Sequence, residues 1–102
     1  MIVATEFGRT ARPNGTGGTD HGTASAAMLL GGAVAGGKVI ADWPGLGASQ
    51  LHEGRDLKPT ASLDALIAAA VSHHYRLDPA LGMRTLFPES RSSPFGQMVV
   101  RA

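Results

Sequence analysis

The chain has 102 residues and a formal charge of +1, its nine Lys and Arg scattered among eight acids with only five aromatics, which argues against a nucleic-acid-binding surface. No run approaches the roughly 18 apolar residues that a membrane-spanning helix needs, so no membrane span is expected. Cysteine is absent, which excludes disulfides and thiolate ligands and restricts any metal to nitrogen and oxygen donors.

Residues 1–4 (MIVA) form a short apolar run of the kind that makes an interior strand. Glu6 follows where that strand would end, and ligands in open α/β sheets gather at that end. The chain then returns through a glycine-rich loop in which Gly15, Gly17, Gly18 and Gly22 permit positive φ and bring backbone amides near a ligand. Arg9 and Arg12 carry guanidinium forks that match phosphate or sulfate oxygens bidentately, although arginines in polar loops are more often simply solvated. Asp20 and His21 arrive together at the loop's end. A lone Asp-His pair more often satisfies local backbone groups than binds a ligand, and only its surroundings change that weighting.

Residues 24–30 (ASAAMLL) read as a second buried strand bounded by Gly31 and Gly32, although methionine and alanine would equally suit a helix. The expectation is that residues 1–4 and 24–30 are neighbours in one sheet, with Glu6 and His21 at the same end. Val34 and Ala35 with residues 38–41 read as a hairpin around Gly36 and Gly37 with a primed turn. Trp43 with Pro44 would cover the sheet where that hairpin ends. Residues 42–59 have no period and read as a long loop, in which His52, beside Glu53, Arg55 and Asp56, is more readily solvated than part of a site. Ser62 is placed to cap a helix with Asp64 in its first turn. Leu63, Leu66, Ile67, Ala70, Val71 and His74 then share one face, and His73 and His74 close the last turn in a structural role. A shorter helix starts after Asp78 with Pro79 at its first position and ends before Pro88. Residues 90–102 read as a tail, with a short apolar strand at residues 98–100.

The segments TEFGRTARPNGTGGTDHGTAS, GGKVIADWPGL and EGRDLKPT followed by a helix resemble, in the same order, the carboxy-terminal third of DUF1501, a large bacterial family of unknown function. The resemblance covers residues 2–88, and three motifs in register make it specific. That family is similar to the alkaline phosphatase and sulfatase superfamily, whose members carry two metal ions at the carboxyl ends of a central sheet. The implied fold is α/β: the carboxy-terminal segment of an alkaline phosphatase-like sheet with flanking helices, two to four short strands and one or two helices, with residues 1–102 as one partial domain.

The resemblance also implies roles for individual residues. In related phosphatases and phosphoglycerate mutases a histidine ligand precedes an apolar strand by a few small residues, as His21 does here, so His21 is expected to hold a metal. Glu6 stands where those enzymes end a strand in an Asp-His pair. Phe7 cannot coordinate, so one of the two metal sites would lack its histidine. Asp20 would be either a ligand or the carboxylate that orients the His21 imidazole. A divalent zinc or manganese ion suits such mixed donors. Arg9 would stabilise charge on a transferred group, and the partner would be an anionic small-molecule or ester substrate.

Family members are usually several times longer and many begin with a twin-arginine export signal, so full-length relatives are expected in the periplasm or outside the cell. Met1 opens directly into a core strand, the start expected of a fragment. The superfamily's nucleophile, a Ser, Thr or modified residue at a helix start, belongs to a region outside the matched motifs, so no catalytic nucleophile is expected here and the chain alone should be inactive. Open sheet edges should make it marginal or self-associating. Two functions follow: the metal-binding end of a phosphate- or sulfate-ester hydrolase, or a noncatalytic exported binding or scaffold domain that retains the fold.

Overall fold

The structure is a computed structural model that describes residues 1–95. The described residues form a small mixed α/β arrangement of four two-residue strands and two helices: β1 (Ile2–Val3), β2 (Gly8–Arg9), β3 (His21–Gly22), β4 (Met28–Leu29), α1 (Leu63–His74) and α2 (Pro79–Leu86). β1 pairs with β4, and β2 pairs with β3, giving two separate two-stranded sheets. The chain divides into two compact units. Among the described residues, a helical unit holds Met1–Ile2, Leu29–Lys38 and residues 61–95; a ribbon unit holds Val3–Met28 and Val39–Thr60. No described helix is long and apolar enough to cross a membrane.

In the helical unit, Met1 and Leu30 exchange two bonds: the Met1 amino group donates to the Leu30 carbonyl at 2.7 Å, and the Leu30 amide donates to Met1 at 2.9 Å. The expected pairing of the first and second apolar runs is therefore present, but the second strand is cut to Met28–Leu29. Residues 24–27 are irregular because the Ala24 carbonyl packs against Gly8 and Thr5 Oγ1 donates to Ser25 Oγ at 2.7 Å.

Helix α1 starts after Ser62, as the capping pattern predicts, with Asp64 in the first turn. Ser62 makes no side-chain cap bond. Helix α2 follows the expected pattern more fully, because Asp78 accepts from the Ala80 amide at 3.3 Å and Pro79 opens the helix. Arg76, at φ 56°, turns the chain between them, and His74 meets Tyr75 edge-on at 4.8 Å.

The buried face of α1 differs from the one its large apolar residues predict. Ala65, Ala68, Ala69, Ala70 and Ser72 are buried, while Leu63 and His74 are exposed. Close approach of α2 explains the shift. Gly82 and Met83 are its buried residues, and Gly82 sits directly against the Ser72 hydroxyl with space for no side chain of its own. An interface this tight selects alanine, glycine and serine, so the leucines are displaced to its margins. Leu66 is half-buried and packs with Leu29 and Phe95 around Ala70, and the Phe95 amide donates to Ala65 at 3.1 Å.

Two expectations are corrected. Residues 34–35 and 38–41 do not form a hairpin: Val34 closes a turn onto the Gly31 carbonyl, and the intended arms fall in different units, divided between Lys38 and Val39. Trp43 consequently has no sheet edge to cover and is 64 % exposed. The long loop of residues 42–59 is irregular as expected, except for a tight turn at His52 to Asp56. The strand expected at residues 98–100 lies outside the described residues.

The helix crossing yields a prediction whose sign depends on one atom. Ser72 Oγ is buried with no hydrogen-bond partner among the described residues, so Ser72→Ala should change stability by under about 1 kcal/mol. Gly82→Ala should cost about 1–2 kcal/mol in the native background through overpacking. In the Ser72→Ala background the nearest atoms to the new methyl lie at 3.6 and 3.8 Å, and the same change should be neutral or stabilising by up to about 1 kcal/mol from helix propensity. Urea unfolding followed by far-ultraviolet circular dichroism measures both; equal costs in the two backgrounds would show that the helices do not meet at this contact.

Candidate functional site

The segment expected to be an irregular glycine loop forms a short antiparallel ribbon. Gly8 faces Gly22 and Arg9 faces His21 across β2 and β3. His21 therefore lies within this ribbon, opposite Arg9. The ribbon continues through the Thr10 amide, which donates to the Asp20 carbonyl at 3.0 Å. Both glycines are required by close approach: a Cβ on Gly22 would lie 2.8 Å from the Arg9 carbonyl carbon, and one on Gly8 would meet the Ala24 carbonyl oxygen. With Gly8, Gly22 and the buried Thr10 on one side, the pleat turns Phe7, Arg9 and His21 to the other.

That outer side is exposed and organised around Phe7. The Phe7 and His21 rings stack with centroids 3.6 Å apart and planes 18° from parallel. The Arg9 guanidinium carbon lies 5.7 Å from the Phe7 centroid, within cation–π range. Arg9 Nη1 also donates to the Thr19 carbonyl at 2.9 Å. One ring thus steadies both polar groups.

Asn14, which the sequence reading passed over, shapes the loop. Its Oδ1 accepts from the Thr16 amide at 3.0 Å, the Thr16 hydroxyl at 2.9 Å and the Gly18 amide at 3.0 Å. Its backbone N–H donates to the Gly18 carbonyl at 2.7 Å. The Asn-Gly dipeptide at 14–15 was the available signal. Of the four loop glycines only Gly17 takes positive φ, at 85°. The Thr16 and Gly18 amides turn inward to Asn14 and so do not face a ligand.

The proposed ligands are not gathered into one cluster. Asp20 accepts from Asn14 Nδ2 at 3.1 Å and makes no bond to His21 among the described residues. His21 stacks on Phe7, and Glu6 is exposed. Among the described residues no three His, Asp or Glu side chains come together as a metal cluster, so Glu6, Asp20 and His21 do not by themselves fit a zinc or manganese centre in this arrangement. Arg12 is exposed; its backbone amide donates to Arg55.

The residue that holds the ribbon is Asp56, only 1 % exposed. Its Oδ2 accepts the Thr23 amide at 2.6 Å. The Arg55 carbonyl accepts the amides of Ala11 at 2.9 Å and Arg12 at 3.3 Å. Left-handed Glu53 (φ 53°) and Gly54 (φ 68°) make the turn that presents these groups, closed by the His52 amide on the Asp56 carbonyl at 2.8 Å. His52 is thus a half-buried turn residue, and its 3.8 Å pairing with Glu53 is of the weak surface kind. The Thr23 amide bond holds the Asp56 carboxyl below its ordinary pKa, burial opposes that effect, and Thr23, His52 and Arg55 lower it further. Asp56 lies in the EGRDLKPT motif, but one acid among loop charges carries no visible sign of burial.

Because the folded pKa is depressed, Asp56 contributes stability above its ordinary value of 3.8 that is lost as pH falls through the lower folded value. Acid titration of the folded fraction should therefore show a loss below about pH 4 in the native chain and a shallower one in Asp56→Asn. Superimposable acid limbs would contradict the buried, ionised state of this carboxylate.

The family model described as "Protein of unknown function (DUF1501)" matches residues 1–85. Neither a curated protein nor a solved structure matches the chain. With the match running from β1 through all but the last residue of α2, the chain belongs to the DUF1501 family.

Proposed function

We propose that the chain is a recognition segment that binds an anionic, oxygen-rich group of the phosphate- or sulfate-ester class on the outer side of the β2–β3 ribbon. The observation that supports this most is the Arg9–His21 cross-strand pair steadied by Phe7. A guanidinium fork suits tetrahedral oxyanions, and one Arg9 donor engaged by Thr19 fixes the direction of the rest. The imidazole adds an N–H donor across the strand. Both planar groups lie against a ring, so less side-chain freedom is lost on binding. The site is exposed, where a charge pair at 4 Å contributes about 1–4 kcal/mol, so free sulfate or phosphate should bind with a Kd on the order of millimolar.

This reading is one of binding and matches the noncatalytic form of the function implied by the family resemblance. Zinc or manganese, expected at Glu6, Asp20 and His21, would need further donors from outside the described residues, and no step depends on it.

Titration of the 102-residue chain with inorganic sulfate and phosphate, followed by amide and side-chain NMR shifts, tests the proposal. Arg9→Ala should weaken binding by about tenfold, as expected for loss of a charged hydrogen bond, and His21→Ala by a smaller factor. Arg12→Ala should leave affinity nearly unchanged. Absence of shifts at Arg9 and His21, or equal binding by Arg9→Ala, would overturn it.

A further inference from the structure

We infer that Asp56 is a positioning residue for the Arg9–His21 pair, an inference that rests on the anion-binding reading above. Strands of two residues hold little register by themselves, and the Gly8–Gly22 pair adds no side-chain contact of its own. A one-residue slip would send Arg9 and His21 to opposite sides. The Thr10–Asp20 bond extends the ladder at one end only, and the remaining hold on the register comes from outside it.

Residues 55 and 56 are placed to do this. Ala11 lies two residues past Arg9, beyond the end of β2, and Thr23 lies two residues past His21, beyond the end of β3, which in an antiparallel ribbon is the opposite end. The Arg55 carbonyl holds the first through its amide and the Asp56 carboxylate holds the second. A single dipeptide therefore ties both strands on either side of the pair. The Thr23 bond is the shorter, at 2.6 Å, and it is made by a side chain that is almost wholly buried. Asp56 Oδ1 has no partner among the described residues, so holding Thr23 is the one side-chain hydrogen bond seen for this carboxylate. Releasing Thr23 frees β3 to slide against β2 and separates the two groups that would face the anion.

The test compares the native chain with Asp56→Asn and Asp56→Glu, using inorganic sulfate as probe. Asp56→Asn should weaken sulfate binding about five- to tenfold, move the Arg9 and His21 resonances and reduce their cross-strand nuclear Overhauser effects, while those of α1 and α2 stay in place. Asp56→Glu, which keeps the carboxylate, should restore part of both. Native affinity and unmoved Arg9 and His21 resonances in Asp56→Asn would overturn the inference. If Asp56→Asn does not fold, the native chain still decides, because sulfate bound at Arg9 and His21 must by linkage slow hydrogen exchange at the Thr23 amide; unchanged exchange at saturating sulfate overturns positioning. If the native chain binds no sulfate, the anion reading fails by itself, and the Arg9–His21 Overhauser effects in Asp56→Asn decide positioning separately.

Discussion

A buried carboxylate with one hydrogen-bonded oxygen governs the ribbon unit. Taking an ionised group out of water is costly unless donors replace the lost hydration, and Asp56 receives the Thr23 amide as that replacement. The same geometry makes the long irregular segment of residues 42–59 part of the architecture, since its turn at residues 52–56 supplies the acceptors for residues 11, 12 and 23. A ribbon with two paired residues on each strand becomes a defined surface because its polar backbone groups are satisfied by this turn and not by further strands.

The helical unit is held by a different kind of force. Four alanines and Met83 are its buried apolar residues among those described, and small side chains remove little area from water. Their value lies in close approach: Gly82 against Ser72 brings backbone near backbone, where dispersion contacts are numerous. Leu63, Leu77, Leu81 and Leu86 remain exposed at the margins. One unit therefore depends on the placement of hydrogen bonds, whereas the other depends on the absence of side-chain volume.

Local chemistry was legible in the sequence where a residue's own identity dictates the backbone. Asp78 and Pro79 mark the start of α2, and the first and second apolar runs do contain the two strands that pair; α1 also starts after Ser62, though without a cap bond from its side chain. What could not be read depends on distant partners. The buried face of α1 follows from how closely α2 approaches, which the large residues of α1 do not encode. The hairpin around Gly36 and Gly37 was locally plausible, yet its arms belong to different units. In the site, Arg9 and His21 were singled out individually, but their cross-strand pairing and the part played by Phe7 emerge only from register. Phe7 was noted as a residue unable to coordinate; stacking is what it does instead. Glu6, Asp20 and His21 were linked by an expected sheet end and by the family resemblance; among the described residues Asp20 is turned to Asn14 while His21 stacks on Phe7.

The chain has one tryptophan and one tyrosine, and they fall in different units: Trp43 in the ribbon unit and Tyr75 in the helical unit. Trp43, 64 % exposed in an irregular segment, is open to collisional quenchers, and its emission reports the surroundings of the 39–60 stretch. Tyr75 follows directly on the end of α1 and lies edge-on to His74. Excitation at the red edge selects the indole alone, while the phenol signal follows the helix pair. The native sequence thus carries a separate optical probe for each of its two modes of stabilisation, with no label added.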